Sequence, residues 1–135
     1  NQSFSSKGVL RGLHYQTEQH AQAKLVSVLQ GEVLDIAVDI RPESKTFGQY
    51  EAILLSGENQ KQFFIPRGFA HGFLVLSDTA TFFYKCDNFY NKESEGGIIY
   101  NDKTINIDWD FPIQELMVSD KDKVLPNLQN AKKVW

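Results

Sequence analysis

Between residues 24 and 86 the sequence divides into short apolar stretches at a nearly constant, short interval, and no long helical pattern separates them. The stretches cover residues 24–29, 32–40, 50–55, 62–65, 72–76 and 80–86. Turn chemistry breaks them: Gln30-Gly31, Arg41-Pro42-Glu43-Ser44, Ser56-Gly57-Glu58-Asn59, Pro66-Arg67-Gly68 and Ser77-Asp78. Short strands at this spacing pair with their neighbours in antiparallel fashion and bury one face, so the pattern predicts an antiparallel sandwich or barrel.

The expected class is therefore all-β, a jelly-roll (cupin-like) antiparallel β-sandwich or barrel with short helical turns toward the C-terminus. After Asn88 the pattern becomes irregular, with a short strand expected at residues 97–100 and Ser119 placed to cap a helical turn at Asp120-Lys121-Asp122. A length of 135 residues with no repeat, linker or low-complexity tract gives one domain, residues 1–135. Within residues 32–40, Leu34, Ile36, Val38 and Ile40 alternate with Val33, Asp35, Ala37 and Asp39, which predicts one core face and one partly acidic face. An aromatic content of 13%, including 10 Phe, suits a β-rich core or an aromatic-lined pocket.

A net charge of -3 with scattered Lys and Arg argues against nucleic acid as the main partner. No apolar run reaches the length of a membrane span and no signal-peptide pattern is present, so no membrane partner is expected. The single cysteine, Cys86, excludes an intrachain disulfide and reads as a small buried hydrophobe; the chain fits a reducing cytosol at least as well as an exterior.

The segment Arg11-Gly12-Leu13-His14-Tyr15-Gln16 places a histidine in a strand-like run. Strict alternation puts His14 with Gly12 and Gln16 on one face, and Arg11 with Leu13 and Tyr15 on the other. His20 lies in a polar loop and reads as solvated, whereas His71 sits between Gly68 and Gly72 at a strand start, where ligand or backbone comes close. Tyr84 shares a face with Phe82 and Cys86, opposite Phe83 and Lys85. The three histidines lie in separate segments without metal-ligand spacing, so no metal is expected. Nucleophile elbows and phosphate loops are also missing, which leaves acid–base chemistry by histidine, tyrosine and a carboxylate.

Several runs together resemble the dTDP-4-dehydrorhamnose 3,5-epimerase family. They are residues 8–16 (GVLRGLHYQ), 24–26, 31–41 (GEVLDIAVDIR), 46–49, 65–73 (IPRGFAHGF), 84–86, 101–102 and 119–122 (SDKD), in the family's order. The resemblance implies a cofactor-free jelly-roll epimerase acting on a dTDP-4-keto-6-deoxyhexose, as a homodimer, in a cytoplasmic deoxysugar pathway. It also implies His14 as proton acceptor, Asp122 as its partner and Tyr84 as proton donor. By the same resemblance, Asn1 and Arg11 face the nucleotide diphosphate, Lys24 and His71 lie near the keto sugar, Glu95 and Lys121 make further contacts, and Tyr90 stacks on the thymine. The family's further N-terminal stretch, ahead of Asn1, is expected to be lacking in this sequence. The alternatives are a monofunctional epimerase or ketoisomerase of a related pathway, and a non-catalytic sugar-nucleotide-binding jelly roll.

Overall fold

The computed structural model describes residues 1–135 as ten strands, one short α-helix and three short 3-10 turns. The strands are β1 (Gln2–Ser6), β2 (Val9–Gln16), β3 (Lys24–Gln30), β4 (Glu32–Asp39), β5 (Tyr50–Ser56), β6 (Gln62–Ile65), β7 (Phe69–Val75), β8 (Thr79–Cys86), β9 (Glu95–Gly97) and β10 (Met117–Val118). The helix α1 spans Asp120–Lys123, and Ser119 Oγ caps it by accepting a hydrogen bond from the Asp122 amide. The strands form two sheets, ordered β1-β8-β3-β6 and β10-β2-β7-β4-β5, with β9 also paired to β2. All pairings are antiparallel apart from the two-residue match of β10 with β2. This is the expected sandwich. No helix is long and apolar enough to cross a membrane.

Two apolar clusters explain where the chain runs. Between the sheets lie Val26, Val28, Val33, Ala37, Leu55, Ile65, Phe73, Val75, Ala80 and Phe82. On the other side of the six-stranded sheet, Leu10, Leu13, Tyr15, Ile36, Val38 and Leu74 are covered by Ile98, Ile105, Trp109 and Val134 from the last third. The irregular C-terminal segment thus serves as a second layer over that sheet. That layer corrects the reading of β4: both of its faces are buried, and the partly acidic one points between the sheets.

Further differences are local. The short strand expected at 97–100 lies instead at Glu95–Gly97; Ile98 still exchanges two backbone hydrogen bonds with Leu13, and its side chain enters the outer cluster. Strands β1 and β10 have too little apolar alternation to be read from sequence. His20, expected to be solvated, is half-buried, with Nδ1 3.0 Å from Ser94 Oγ.

Candidate active site

The open edge of β2 determines how the site is assembled. Its residues Val9 and Leu10 pair with β10, and His14, Tyr15 and Gln16 pair with β9, which leaves a gap at Gly12. Across the other edge, Arg11 faces Phe73 and His14 faces His71, so three steps on β2 match two on β7. The extra residue is a bulge at Gly12, whose φ of +124 is natural only for glycine. A Cβ there would lie 2.7 Å from Gly72 Cα and 2.8 Å from the His71 carbonyl oxygen. The bulge corrects the alternation reading of Arg11. Leu10 and Leu13 both enter the outer cluster, and Arg11 and His14 both line one cavity between the sheets.

Asp122 fills the gap in the ladder. Its Oδ2 accepts the Gly12 amide at 3.0 Å, and its Oδ1 lies 3.0 Å from His14 Nε2. The carboxylate is 3% exposed. Burial pushes the Asp122 carboxyl up, but the hydrogen bonds from His14 and the Gly12 amide outweigh it and hold it below its ordinary value. An ionised Asp122 draws the hydrogen of the imidazole to Nε2, and Nδ1, which has no protein partner, then keeps its lone pair. The carboxylate thus fixes the orientation of the ring and leaves a buried nitrogen without a protein partner.

The cavity has a volume of about 770 Å³, and all ten sequence-predicted residues line it: Asn1, Arg11, His14, Lys24, His71, Tyr84, Tyr90, Glu95, Lys121 and Asp122. Phe82, Tyr84 and Cys86 of β8 share its wall, as alternation predicted, although Cys86 is half-buried there and not sealed in the core. Burial pushes the Tyr84 phenol up, so at neutral pH it carries its proton. The Lys24 amine lies 5.7 Å from the Tyr84 ring centroid, and burial lowers its affinity for a proton. At the mouth, Glu95 accepts hydrogen bonds from Lys121 Nζ and Tyr90 Oη, each at 2.6 Å, and both bonds hold the Glu95 carboxyl below its usual range. No group of three or more His, Cys, Asp or Glu is placed to hold a metal ion.

One buried residue that sequence reasoning did not single out is Asp35. It is fully buried on β4 and paired through Oδ2 with His71 Nε2 at 2.9 Å. The available signal was a carboxylate alternating with Val33 and Ala37, since an acid on a strand face that must be buried needs a partner.

Two facing sheets around a lined cavity define the jelly-roll class, here with an imidazole–carboxylate pair and a phenol on the cavity wall. The family model for dTDP-4-dehydrorhamnose 3,5-epimerase matches residues 1–130, and the chain belongs to that family. It is 59% identical over 122 residues to the dTDP-4-dehydrorhamnose 3,5-epimerase of Shigella flexneri, covering 90% of this chain and 66% of that protein. The enzyme of that name from Elizabethkingia anophelis has a crystal structure that superposes with a TM-score of 0.96 at 56% identity, covering 100% of this chain and 73% of that one. A dTDP-6-deoxy-D-glucose-3,5-epimerase from Legionella pneumophila, solved with dTDP-4-keto-L-rhamnose, gives a TM-score of 0.92 at 56% identity over 96% of this chain and 68% of that one. The chain spans about two thirds of the length of the curated relatives it matches.

Proposed function

We propose that this chain epimerises dTDP-4-keto-6-deoxyglucose at the two carbons flanking the ketone, giving the 4-keto-rhamnose nucleotide. The observation that carries the reading is the His14–Asp122 pair on the same cavity as Tyr84. A ketone acidifies the hydrogens on both neighbouring carbons, so a near-neutral base can remove one and leave an enolate. His14 takes that proton and Asp122 stabilises the imidazolium. Tyr84 returns a proton from the opposite face, which inverts the carbon. Lys24 and His71 stand by the oxygen that gains charge. Arg11 and Asn1, on the same cavity, and Lys121, held by Glu95, suit a nucleotide diphosphate, and the exposed ring of Tyr90 suits its base.

The test is deuterium incorporation from heavy water into dTDP-4-keto-6-deoxyglucose, followed by NMR, with the wild type and His14→Ala. Exchange at both carbons, lost in the variant, is the expected result. Exchange at one carbon makes the chain a single-site epimerase, and none at all makes it a binding module.

We also infer a homodimer that works in the cytoplasm, where nucleotide sugars are made. Phe4 and Phe64, 68% and 61% exposed, share the outer face of the four-stranded sheet with Leu25, Leu29 and Phe83. An aromatic stripe of this kind supports a partner on that face, and light scattering should return the mass of two chains.

A further inference from the structure

His71 and His14 are cross-strand neighbours, and each is backed by its own aspartate. The second pair has a different electrostatic character from the first. Asp35 is 0% exposed at the middle of β4, and both of its side-chain hydrogen bonds run to a single atom, His71 Nε2, at 3.1 and 2.9 Å. Asp122, by contrast, is also held by a backbone amide. A desolvated anion with one neutral donor is strongly disfavoured, so the favoured form of the Asp35–His71 pair is net-neutral. Burial indeed pushes the Asp35 carboxyl up, against the opposing pull of His71 and Lys24.

Net neutrality determines the state of the other ring nitrogen. If the shared proton rests on Asp35, the imidazole is neutral with its hydrogen on Nδ1. If it rests on Nε2, the ring is an imidazolium, and again Nδ1 carries a hydrogen. The ring cannot easily turn away, because Phe82 stacks on it at 5.9 Å and 20° and Phe73 packs at 6.4 Å.

We propose that Asp35 is a positioning residue for the epimerisation: it keeps a hydrogen on Nδ1 of His71, and that N–H donates to the ketone oxygen of the bound sugar. The inference rests on the epimerase reading and adds one residue to it. When His14 removes a proton from either flanking carbon, the electron pair moves onto the same ketone oxygen. A donor held there by Asp35 serves both half-reactions equally, in contrast to a proton donor such as Tyr84, which serves one.

The experiment compares the wild type, Asp35→Asn and Asp35→Glu by two readouts. Nitrogen-15 NMR of the histidine rings, without substrate, should show His71 with a protonated Nδ1 in the wild type. In Asp35→Asn it should show a mixture of tautomers, because an amide offers Nε2 either a donor or an acceptor. Deuterium wash-in should slow by the same factor at both carbons in Asp35→Asn, roughly tenfold to a hundredfold as for the loss of one oxyanion donor, with KM within about threefold of wild type. Asp35→Glu, which keeps the carboxyl, should restore the wild-type ring signature even if the asparagine variant folds poorly. The proposal is overturned by an unprotonated Nδ1 in the wild type, by unequal slowing at the two carbons, or by unchanged exchange. A wild type that exchanges neither carbon defeats the epimerase reading and the catalytic part of the proposal with it, and the ring signature then decides only whether Asp35 holds the hydrogen on Nδ1 of His71.

Discussion

Replacing Asp122 by asparagine changes one atom, and the structure dictates how that atom is placed. Oδ2 accepts the Gly12 amide and Oδ1 faces His14 Nε2, each at 3.0 Å. In the amide, the oxygen must face Gly12, because opposing two N–H groups there costs about 2 kcal/mol, a preference of roughly 30-fold. The amide nitrogen then donates to Nε2, the ring hydrogen is forced to Nδ1, and the base loses its free lone pair. In the small population with the opposite flip, the imidazolium still lacks its carboxylate, a charged hydrogen bond of about 2 kcal/mol and thus another factor of roughly 30. The product is a fall in kcat of about 10³, near 4 kcal/mol of barrier. Asp122→Ala lets the ring choose its tautomer and loses only the second factor, so it should stay about thirtyfold more active than the asparagine variant. Deuterium wash-in monitored by NMR measures both, with thermal melting as a control expected to move by only a few degrees, about 1 kcal/mol. An asparagine variant within tenfold of wild type, or one more active than the alanine variant, would refute the tautomer argument.

Three further outcomes follow from the geometry. Tyr84→Phe keeps the ring against Phe82 and loses the phenol proton, so exchange should fall by about 10² or more at one carbon and persist at the other; equal loss at both carbons would remove Tyr84 as a one-sided donor. Gly12→Ala forces a Cβ onto Gly72 and the His71 carbonyl at positive φ and should lower stability by about 2–4 kcal/mol, read from urea midpoints. For Asp39, burial pushes the carboxyl up, but hydrogen bonds from Arg41, Ser44 and Thr46 prevail and hold it well below its ordinary value. A depressed folded-state value means that its stabilisation is present above the unfolded-state value of about 4 and lost as the pH falls below it. Asp39→Asn should therefore flatten the acid limb of a stability-versus-pH curve; an unchanged slope would show that the cluster contributes nothing there.

What was legible in the sequence was whatever repeats locally. Alternation placed Phe82, Tyr84 and Cys86 on one wall, and a serine before Asp-Lys-Asp marked the cap of α1. The position of Arg11 was not legible, because a one-residue bulge reverses the face of everything on one side of it, and glycine at 12 signals freedom without saying how it is used. Asp35 was visible as an acid in an apolar strand, yet its burial depends on the four-stranded sheet that faces it across the core, and its partner His71 lies 36 positions away on another strand. The pairing of Asp122 with His14 came from family resemblance alone, since no local pattern links residues 108 positions apart.

That distance has a consequence for the timing of synthesis. A chain leaving the ribosome can close most of both sheets once β8 has emerged, because the strands from β1 to β8 pair among themselves. His14 at that stage is an ordinary strand imidazole beside an unfilled ladder gap. Only when α1 swings in does the Gly12 amide gain its acceptor and the imidazole its carboxylate, in one docking event. A stalled or clipped product ending before residue 122 can thus keep the pairing of β1 to β8 and lack the dyad, so strand content alone does not report on the assembly of the site.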